Sequence, residues 1–445
     1  MPLYISRVVT TAPTQQIEVA SIETTSLAAP VSHLANASWN IGGMVGYSVA
    51  RWITVVAIAR LGSSTLLGEF ALATAIVGPF FLFANLQLPG LLATDAARKF
   101  SRQAYLLVGV GGSVVAMSLA VLFGFQEGKA IAIAVALFAI ARSIDSMSEL
   151  IGGSLQRSGR FRPIAIGQVL NGGLTAIATV AVLRFQPDTA ALAIASIIGS
   201  AIALAFIGKN ARPAKYDSKK ADVPKHLLPE TYALLKLGLP MGCAAGLIGL
   251  GASVPTLFLD QWVDKIQLGV FSAISLPVVG IGMIVASASQ VAAPRLAALV
   301  DAGDYPSVKR HIAWLISFGW SIGLLATLGS LAAGGWFLST LYGEEYRPVA
   351  NVLVILCFAA AIRCAYMYVG VVLMVIRKPH VQLYVRVLAL VVLGLALRLL
   401  IPGYGIAGAA WAILIATIVE ACAWAGILAF TLRTLNRVRS VSDDR

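Results

Sequence analysis

Charge is what this sequence has least of. Only 12% of its 445 residues are Asp, Glu, Lys or Arg, whereas water-facing domains carry about 25%. That deficit excludes an ordinary water-facing surface. With 58% hydrophobic residues, it points to a polytopic membrane protein. Histidine is equally sparse. His33, His226, His311 and His380 are scattered through loops and tails without ligand spacing, so no metal site is expected. The four cysteines, Cys243, Cys357, Cys364 and Cys422, all fall inside apolar runs and read as small packing residues, neither disulfides nor ligands. No glycine-rich loop is followed by Lys and Ser or Thr, so the chain carries no ATPase module. No enzyme, catalytic set or cofactor is expected. Energy for any transport has to come from an ion gradient, the membrane potential or the substrate gradient.

What is abundant is apolar sequence in long runs. Twelve spans are expected, roughly 38–59, 67–92, 104–123, 130–151, 163–183, 189–208, 234–258, 268–291, 312–333, 349–375, 381–400 and 406–431. Each can cross about 30 Å of hydrocarbon at a rise of about 1.5 Å per residue. Residues 1–35 are rich in Thr, Ser and Ala and lack the apolar core of a signal peptide; they read as a disordered cytoplasmic tail. The one long polar interruption, 209–233, holds Lys209, Arg212, Lys215, Lys219, Lys220 and Lys225. It reads as a basic cytoplasmic linker between two six-helix lobes, 36–208 and 234–431, with a second tail at 432–445. The expected fold is therefore all-α, with about twelve transmembrane helices in two pseudo-symmetric lobes.

The net charge of +13 sits in loops. Counting Lys and Arg gives 23 on one side of the spans, in 93–104, 155–163, 209–236, 292–311, 377–386 and after 431. The other side has six: Arg60, Lys129, Arg184, Lys265, Arg347 and Arg398. The positive-inside rule places both termini and the linker in the cytoplasm. There the basic loops lie beside anionic lipid, at about 1 kcal/mol per cation. With no basic folded domain, nucleic acid is excluded as a partner.

The stretch Leu234–Val300 organises the chain. Pro240 and Pro255 punctuate its first span, and Pro277 and Gly280 its second. Such helices are expected to bend, as suits a protein that opens and closes. It also repeats earlier sequence. Leu268-Gly269-Val270-Phe271 lies 201 residues after Leu67-Gly68-Glu69-Phe70, and Arg363 with Lys378 lies 221 residues after Arg142 with Arg157. Two matches in the same order indicate a duplicated unit.

Ionisable groups at membrane depth mark a pathway or a pair. The first span sets Asn36, Asn40, Gly43, Tyr47, Arg51 and Thr54 on one helix face. The fourth sets Arg142, Asp145 and Glu149 together, the fifth contributes Asn171, the tenth Arg363 with Tyr366, and the twelfth Glu420. Arg51, Arg142 and Arg363, with Asn40, Tyr47 and Asn171, are the substrate-cavity candidates, because a guanidinium keeps its charge and offers a planar fork to phosphate oxygens. Asp145, Glu149 and Glu420 are the ion-coupling candidates. Arg142 with Asp145 also reads as a simple ion pair, and Glu420 as an arginine's partner. Both choices stay open here.

Several segments carry a family likeness: Ala35-Asn36-Ala37-Ser38-Trp39, Ala59-Arg60-Leu61-Gly62 with Leu67-Gly68-Glu69-Phe70, Leu237-Gly238-Leu239-Pro240-Met241-Gly242, Leu268-Gly269-Val270-Phe271-Ser272-Ala273, Ala293-Pro294-Arg295-Leu296-Ala297 and Leu341-Tyr342-Gly343-Glu344-Glu345-Tyr346. In these the chain resembles the polysaccharide (O-antigen type) flippases of the multidrug/oligosaccharidyl-lipid/polysaccharide exporter superfamily, over nearly all of 35–431. The resemblance implies two lobes forming a V around a cationic cavity. It also implies alternating access that moves an undecaprenyl-diphosphate-linked oligosaccharide across the bacterial cytoplasmic (inner) membrane for exopolysaccharide or lipopolysaccharide synthesis. Implied partners are the lipid-linked oligosaccharide and membrane lipid, with a polysaccharide polymerase and glycosyltransferases as candidates. The acidic pair Asp145 and Glu149, and the long tail before residue 35, depart from that pattern. A cation-coupled multidrug exporter of the same fold is the alternative, and a non-transporting membrane scaffold that docks biosynthetic enzymes is a third.

Overall fold

The computed structural model describes residues 30–95, 99–185, 187–211, 227–301, 304–375 and 380–443. These fold into twelve α-helices: α1 (Pro30–Leu61), α2 (Ser64–Ala84), α3 (Leu88–Thr94), α4 (Arg102–Gly124), α5 (Lys129–Arg157), α6 (Phe161–Phe185), α7 (Thr189–Asn210), α8 (Leu227–Asp260), α9 (Lys265–Asp301), α10 (Tyr305–Tyr342), α11 (Ala350–Val375) and α12 (His380–Asp443). The described residues contain no strand. Eleven helices among them are long and apolar enough to cross a membrane. With no water at that depth, helices that satisfy their own backbone are the form such runs take.

Local chemistry sets the boundaries. Ser63 caps α2 by accepting from the Leu66 N–H at 3.1 Å, Ser101 caps α4, Asp188 caps α7 and Asp304 caps α10; each satisfies an orphan helix donor. Gly128 (φ +102) precedes α5 and Gly343 (φ +126) ends α10, a backbone region glycine enters at little cost.

Several expected boundaries move. The second span divides into α2 and α3 because Leu86 and Gln87 adopt left-handed backbone, φ +50 and +55. The eleventh and twelfth spans, by contrast, stay distinct as the two parts of α12, which breaks between them at Gly405 (φ +53, ψ −130). Its apolar part, Gln382–Ala429, has 48 residues, about twice what one crossing needs. Residues 30–35, expected in the tail, form the start of α1, and 432–443 continue α12. The rest of the N-terminal tail and most of the basic linker lie outside the described residues. α8 runs as one helix through Pro240 and Pro255, as does α9 through Pro277 and Gly280.

α1 packs on α6, α6 on α7 and α5 on α4 and α7; in the second half α10 packs on α11 and α11 on α9 and α12. α2 joins the halves by lying along both α8 and α9. Gly238, Gly242, Gly246 and Gly249 present a bare stripe of α8 to Pro79, Leu82 and Phe83 of α2 and to Leu86 just beyond its end. A side chain there would strike these residues at 2.6–3.0 Å. Small residues let backbones approach this closely inside a membrane. By contrast, α1 and α9 touch only briefly.

The duplicated motif meets itself. A Cβ on Gly68 would lie 2.0 Å from the Lys265 carbonyl oxygen, and a Cβ on Gly269 would lie 2.0 Å from the Ser64 carbonyl oxygen. Both pairs are reciprocal at the sequence offset of 201, the signature of a two-fold crossing. Further ties close the same end. Arg60 of α1 donates to the last carbonyls of α10, to Leu341 O and Ser339 O at 3.0 Å each and to Thr340 O, capping that helix with positive charge. Trp52 Nε1 donates to Tyr342 Oη at 2.8 Å, and Ser64 Oγ to Glu345 Oε1 at 2.8 Å. Beneath them Ile58, Leu67, Leu259, Leu268 and Phe271 form one apolar core from both halves.

Gly68→Ala and Gly269→Ala are each expected to cost about 1–3 kcal/mol, the usual cost of overpacking. Gly111→Ala and Gly329→Ala, whose added methyl would meet nothing within 4 Å, are expected to be neutral or slightly stabilising. Thermal unfolding of the detergent-purified chain checks both; equal loss at all four positions removes the close crossing from the account.

Candidate functional site

Between the halves lies a cavity of roughly 850 Å³ lined by α1, α2, α5, α6, α7, α8, α9, α11 and α12. Its charged lining residues are Arg51, Arg142, Asp145, Arg363, Arg386 and Glu420. Four arginines face two carboxylates, a formal excess of two positive charges.

The first half builds its part from three helices. Tyr47, Arg51 and Thr54 follow one another at helical spacing on α1 and all line the cavity. Arg142 and Asp145 stand one turn apart on α5, Nη1 to Oδ2 at 3.4 Å. Asn171 of α6 donates to the other oxygen of Asp145 at 2.7 Å. Both carboxylate oxygens are thus occupied and Asp145 is buried.

The second half repeats the composition on other helices. Arg363 and Tyr366 stand one turn apart on α11. Arg386 and Glu420 come from α12, on either side of its break at Gly405. Arg386 Nη1 lies 2.9 Å from Glu420 Oε1. Tyr366 Oη donates to Oε2 at 2.7 Å, and Trp424 Nε1 donates to Oε1 at 3.3 Å. Glu420 therefore has three donors, which compensate a charge that would otherwise be costly at this depth. Arg51 and Arg363, one from each half, have no hydrogen bond or ion pair among the described residues.

Five of the six expected cavity residues line this one space: Tyr47, Arg51, Arg142, Asn171 and Arg363. Asn40 does not; α1 enters the cavity wall only at Tyr47, two turns later, after Gly43 has packed against Ala165 and Gln168 of α6. Among the ion-coupling candidates, Asp145 and Glu420 line the cavity. Glu149 lies outside it, where Oε2 accepts from Asn85 at 2.9 Å and ties α5 to the break between α2 and α3. Arg386 is the residue that sequence reasoning missed. It was counted with the loop cations although it falls inside the span 381–400, and that position was its signal. Among the described residues no three His, Cys, Asp or Glu gather as metal ligands, and Cys357 and Cys364 are buried in helix packing.

A shell of apolar helices in two pseudo-symmetric halves around a charged cavity defines the class: a multi-pass membrane protein. The fold matches that of the lipid II flippase MurJ in its inward closed conformation, TM-score 0.69 at 13% identity over 87% of this chain and 86% of that one. It also matches the Vibrio cholerae MATE transporter VcmN, TM-score 0.61 at 15% identity over 91% and 98%. Residues 33–300, more than half of the chain, match the family described as polysaccharide biosynthesis protein, and the chain belongs to that family. The capsular polysaccharide biosynthesis protein CapF of Staphylococcus aureus is 22% identical over 375 residues, 84% of this chain and 93% of that protein.

Glu420→Ala is expected to cost about 2–4 kcal/mol, because it leaves a half-buried arginine and two neutral donors unpaired. Glu149→Ala, which removes one hydrogen bond, to the Asn85 amide, is expected to cost about 1 kcal/mol. Unfolding midpoints in one detergent compare the two. A Glu420 variant as stable as the Glu149 variant contradicts the tethering described here.

Proposed function

We propose that this chain is a flippase for a lipid-linked oligosaccharide in polysaccharide synthesis, and that the diphosphate of its cargo lies between Arg51 and Arg363. The observation that carries the reading is that pair of cavity arginines, one per half, with no carboxylate partner among the described residues. A diphosphate diester brings two negative charges, equal to the formal excess of the cavity lining. Planar guanidinium forks suit its oxygens. The polysaccharide biosynthesis family, the likeness to CapF and the flippase fold of MurJ support the same substrate class.

In this reading the charged head of the lipid enters the cavity while its tail stays in hydrocarbon, and binding to both halves ties them together. Alternating access then requires the end closed by Arg60, Ser64 and the Gly68–Gly269 crossing to part. The loop charges put the basic linker and both termini in the cytoplasm, which makes the tied end the outer one. No residue is assigned a catalytic role. A polymerase and glycosyltransferases are the partners this pathway supplies. The drug-exporter alternative would draw a cation to Asp145 or Glu420, yet both carboxylates are already occupied by arginine and neutral donors. An ion-coupling role for Asp145 therefore requires Arg142 to be drawn away first, as an incoming phosphate would do.

The test is surface polymer in a strain lacking the chromosomal copy and complemented with Arg51→Ala, Arg363→Ala or both. The double variant is expected to lower export at least about tenfold at unchanged membrane abundance, while drug susceptibility of the deletion strain stays that of the parent. Undiminished export from the double variant sinks the diphosphate reading and favours a scaffold. Raised drug susceptibility favours the exporter.

A further inference from the structure

The second half of the cavity contains a charge pair that the internal repeat did not supply. At the offset of 221, Arg142 corresponds to Arg363 and Asp145 to Tyr366. Where the first half has an arginine tied to an acid one turn away, the second half has an arginine beside a phenol. The tethered arginine is rebuilt there from α12, as Arg386 on Glu420. Each half then presents the same set: a tyrosine, a tethered arginine with its acid, and an arginine without a partner. A set reached from different helix positions matches in charge, not in backbone descent.

Geometry gives the two members of this pair different tasks. Glu420 is walled in, with its side chain 8% exposed against 35% for Arg386. Both its oxygens are taken, by Arg386 and Trp424 on one and Tyr366 on the other. A guanidinium has five N–H donors, and Arg386 spends only its Nη1 edge on Glu420 among the described residues. Its remaining donors belong to a side chain that lines the cavity. The carboxylate is held by neutral donors from two helices and cannot follow a ligand; the arginine keeps donors to offer.

Resting on the flippase reading above, we propose that Arg386 is a further phosphate-binding residue. Glu420, held by Tyr366 and Trp424, is its positioning residue, and Glu420 offsets the charge of Arg386 so that the lining stays at an excess of two, which selects a diphosphate diester over a monophosphate diester. Without Glu420 the excess is three and anions of either kind bind more tightly. Without Arg386 it is one, and the preference for the doubly charged linkage shrinks.

The experiment uses the full chain purified in detergent and two soluble-length probes: farnesyl-diphosphate-linked N-acetylglucosamine, with two charges, and farnesyl-phosphate-linked N-acetylglucosamine, with one. Kd is measured for both probes on the wild type, Arg386→Ala, Arg386→Lys, Glu420→Gln and the Arg51→Ala/Arg363→Ala double variant, alongside unfolding midpoints. The wild type is expected to favour the diphosphate probe by about tenfold. Arg386→Ala weakens that probe about tenfold and narrows the ratio, with Arg386→Lys between. Glu420→Gln, which keeps shape and an acceptor oxygen, tightens both probes several-fold. A merely structural pair predicts instead unchanged ratios in all three, or weaker binding in Glu420→Gln that tracks a lowered midpoint; either overturns the proposal. If the ratios stay put while the double variant loses binding, this inference falls and the flippase reading stands. If the double variant binds as well as the wild type, the flippase reading itself falls.

Discussion

A charge inside a bilayer is tolerable only with a partner or a wet space, and that constraint organises this molecule. Ionisable side chains at depth are costly in its apolar shell. Six of them are gathered into one cavity. Two arginines are answered by Asp145 and Glu420, and those carboxylates are themselves held by Asn171, Tyr366 and Trp424. The remaining two arginines have no counter-charge among the described residues. An apolar helical shell can hold such groups only around a space that water or an anion enters, so the cavity and its unbalanced charge imply each other.

The helices around that space divide the work unevenly. The seam between α2 and α8 is closed by a glycine stripe that lets one backbone press on the other, whereas α1 and α9 barely meet. Hydrogen bonds join the halves at both ends: Arg60 on the carbonyl end of α10, Trp52 on Tyr342 and Ser64 on Glu345 at the α1–α2 turn, and Ser101 at the start of α4 on Glu230 at the start of α8 at the other. These are few and polar, and Arg60 and Glu345 are exposed. Contacts of that kind separate more readily than a buried apolar seam, which suits halves that must part at one end and stay joined along α2.

Much of this was legible in the chain. Span lengths and the charge deficit give an all-α membrane fold, and the face Tyr47–Arg51–Thr54 is visible as helical spacing. Arg142 and Arg363 announce themselves as charges inside apolar runs. What escaped did so for physical reasons. Leu86 and Gln87 break α2 from α3 with left-handed backbone at residues that seldom adopt it, so composition gives no warning. The break of α12 at Gly405, by contrast, is legible as the gap between the expected spans 381–400 and 406–431. Arg386 looks like a flanking loop cation because it lies only a turn and a half inside its helix; Glu420, 34 residues later, becomes its partner only when α12 folds back at Gly405. Asn40 misled because helical spacing fixes a face but not where along the helix the cavity begins. The carboxylates resisted assignment because the sequence does not reveal how many donors each would find.

The crossing of Gly68 with Gly269 has a consequence for how this chain can vary. A joint built from two copies of one motif behaves like the interface of a symmetric dimer whose subunits happen to be covalently linked. Each glycine leaves room for the other copy's backbone, so a bulkier residue in either copy has to be answered by a shift of that backbone, at Lys265 or Ser64. The two halves are free to diverge wherever they face lipid or cargo, yet at this point they are obliged to drift in step.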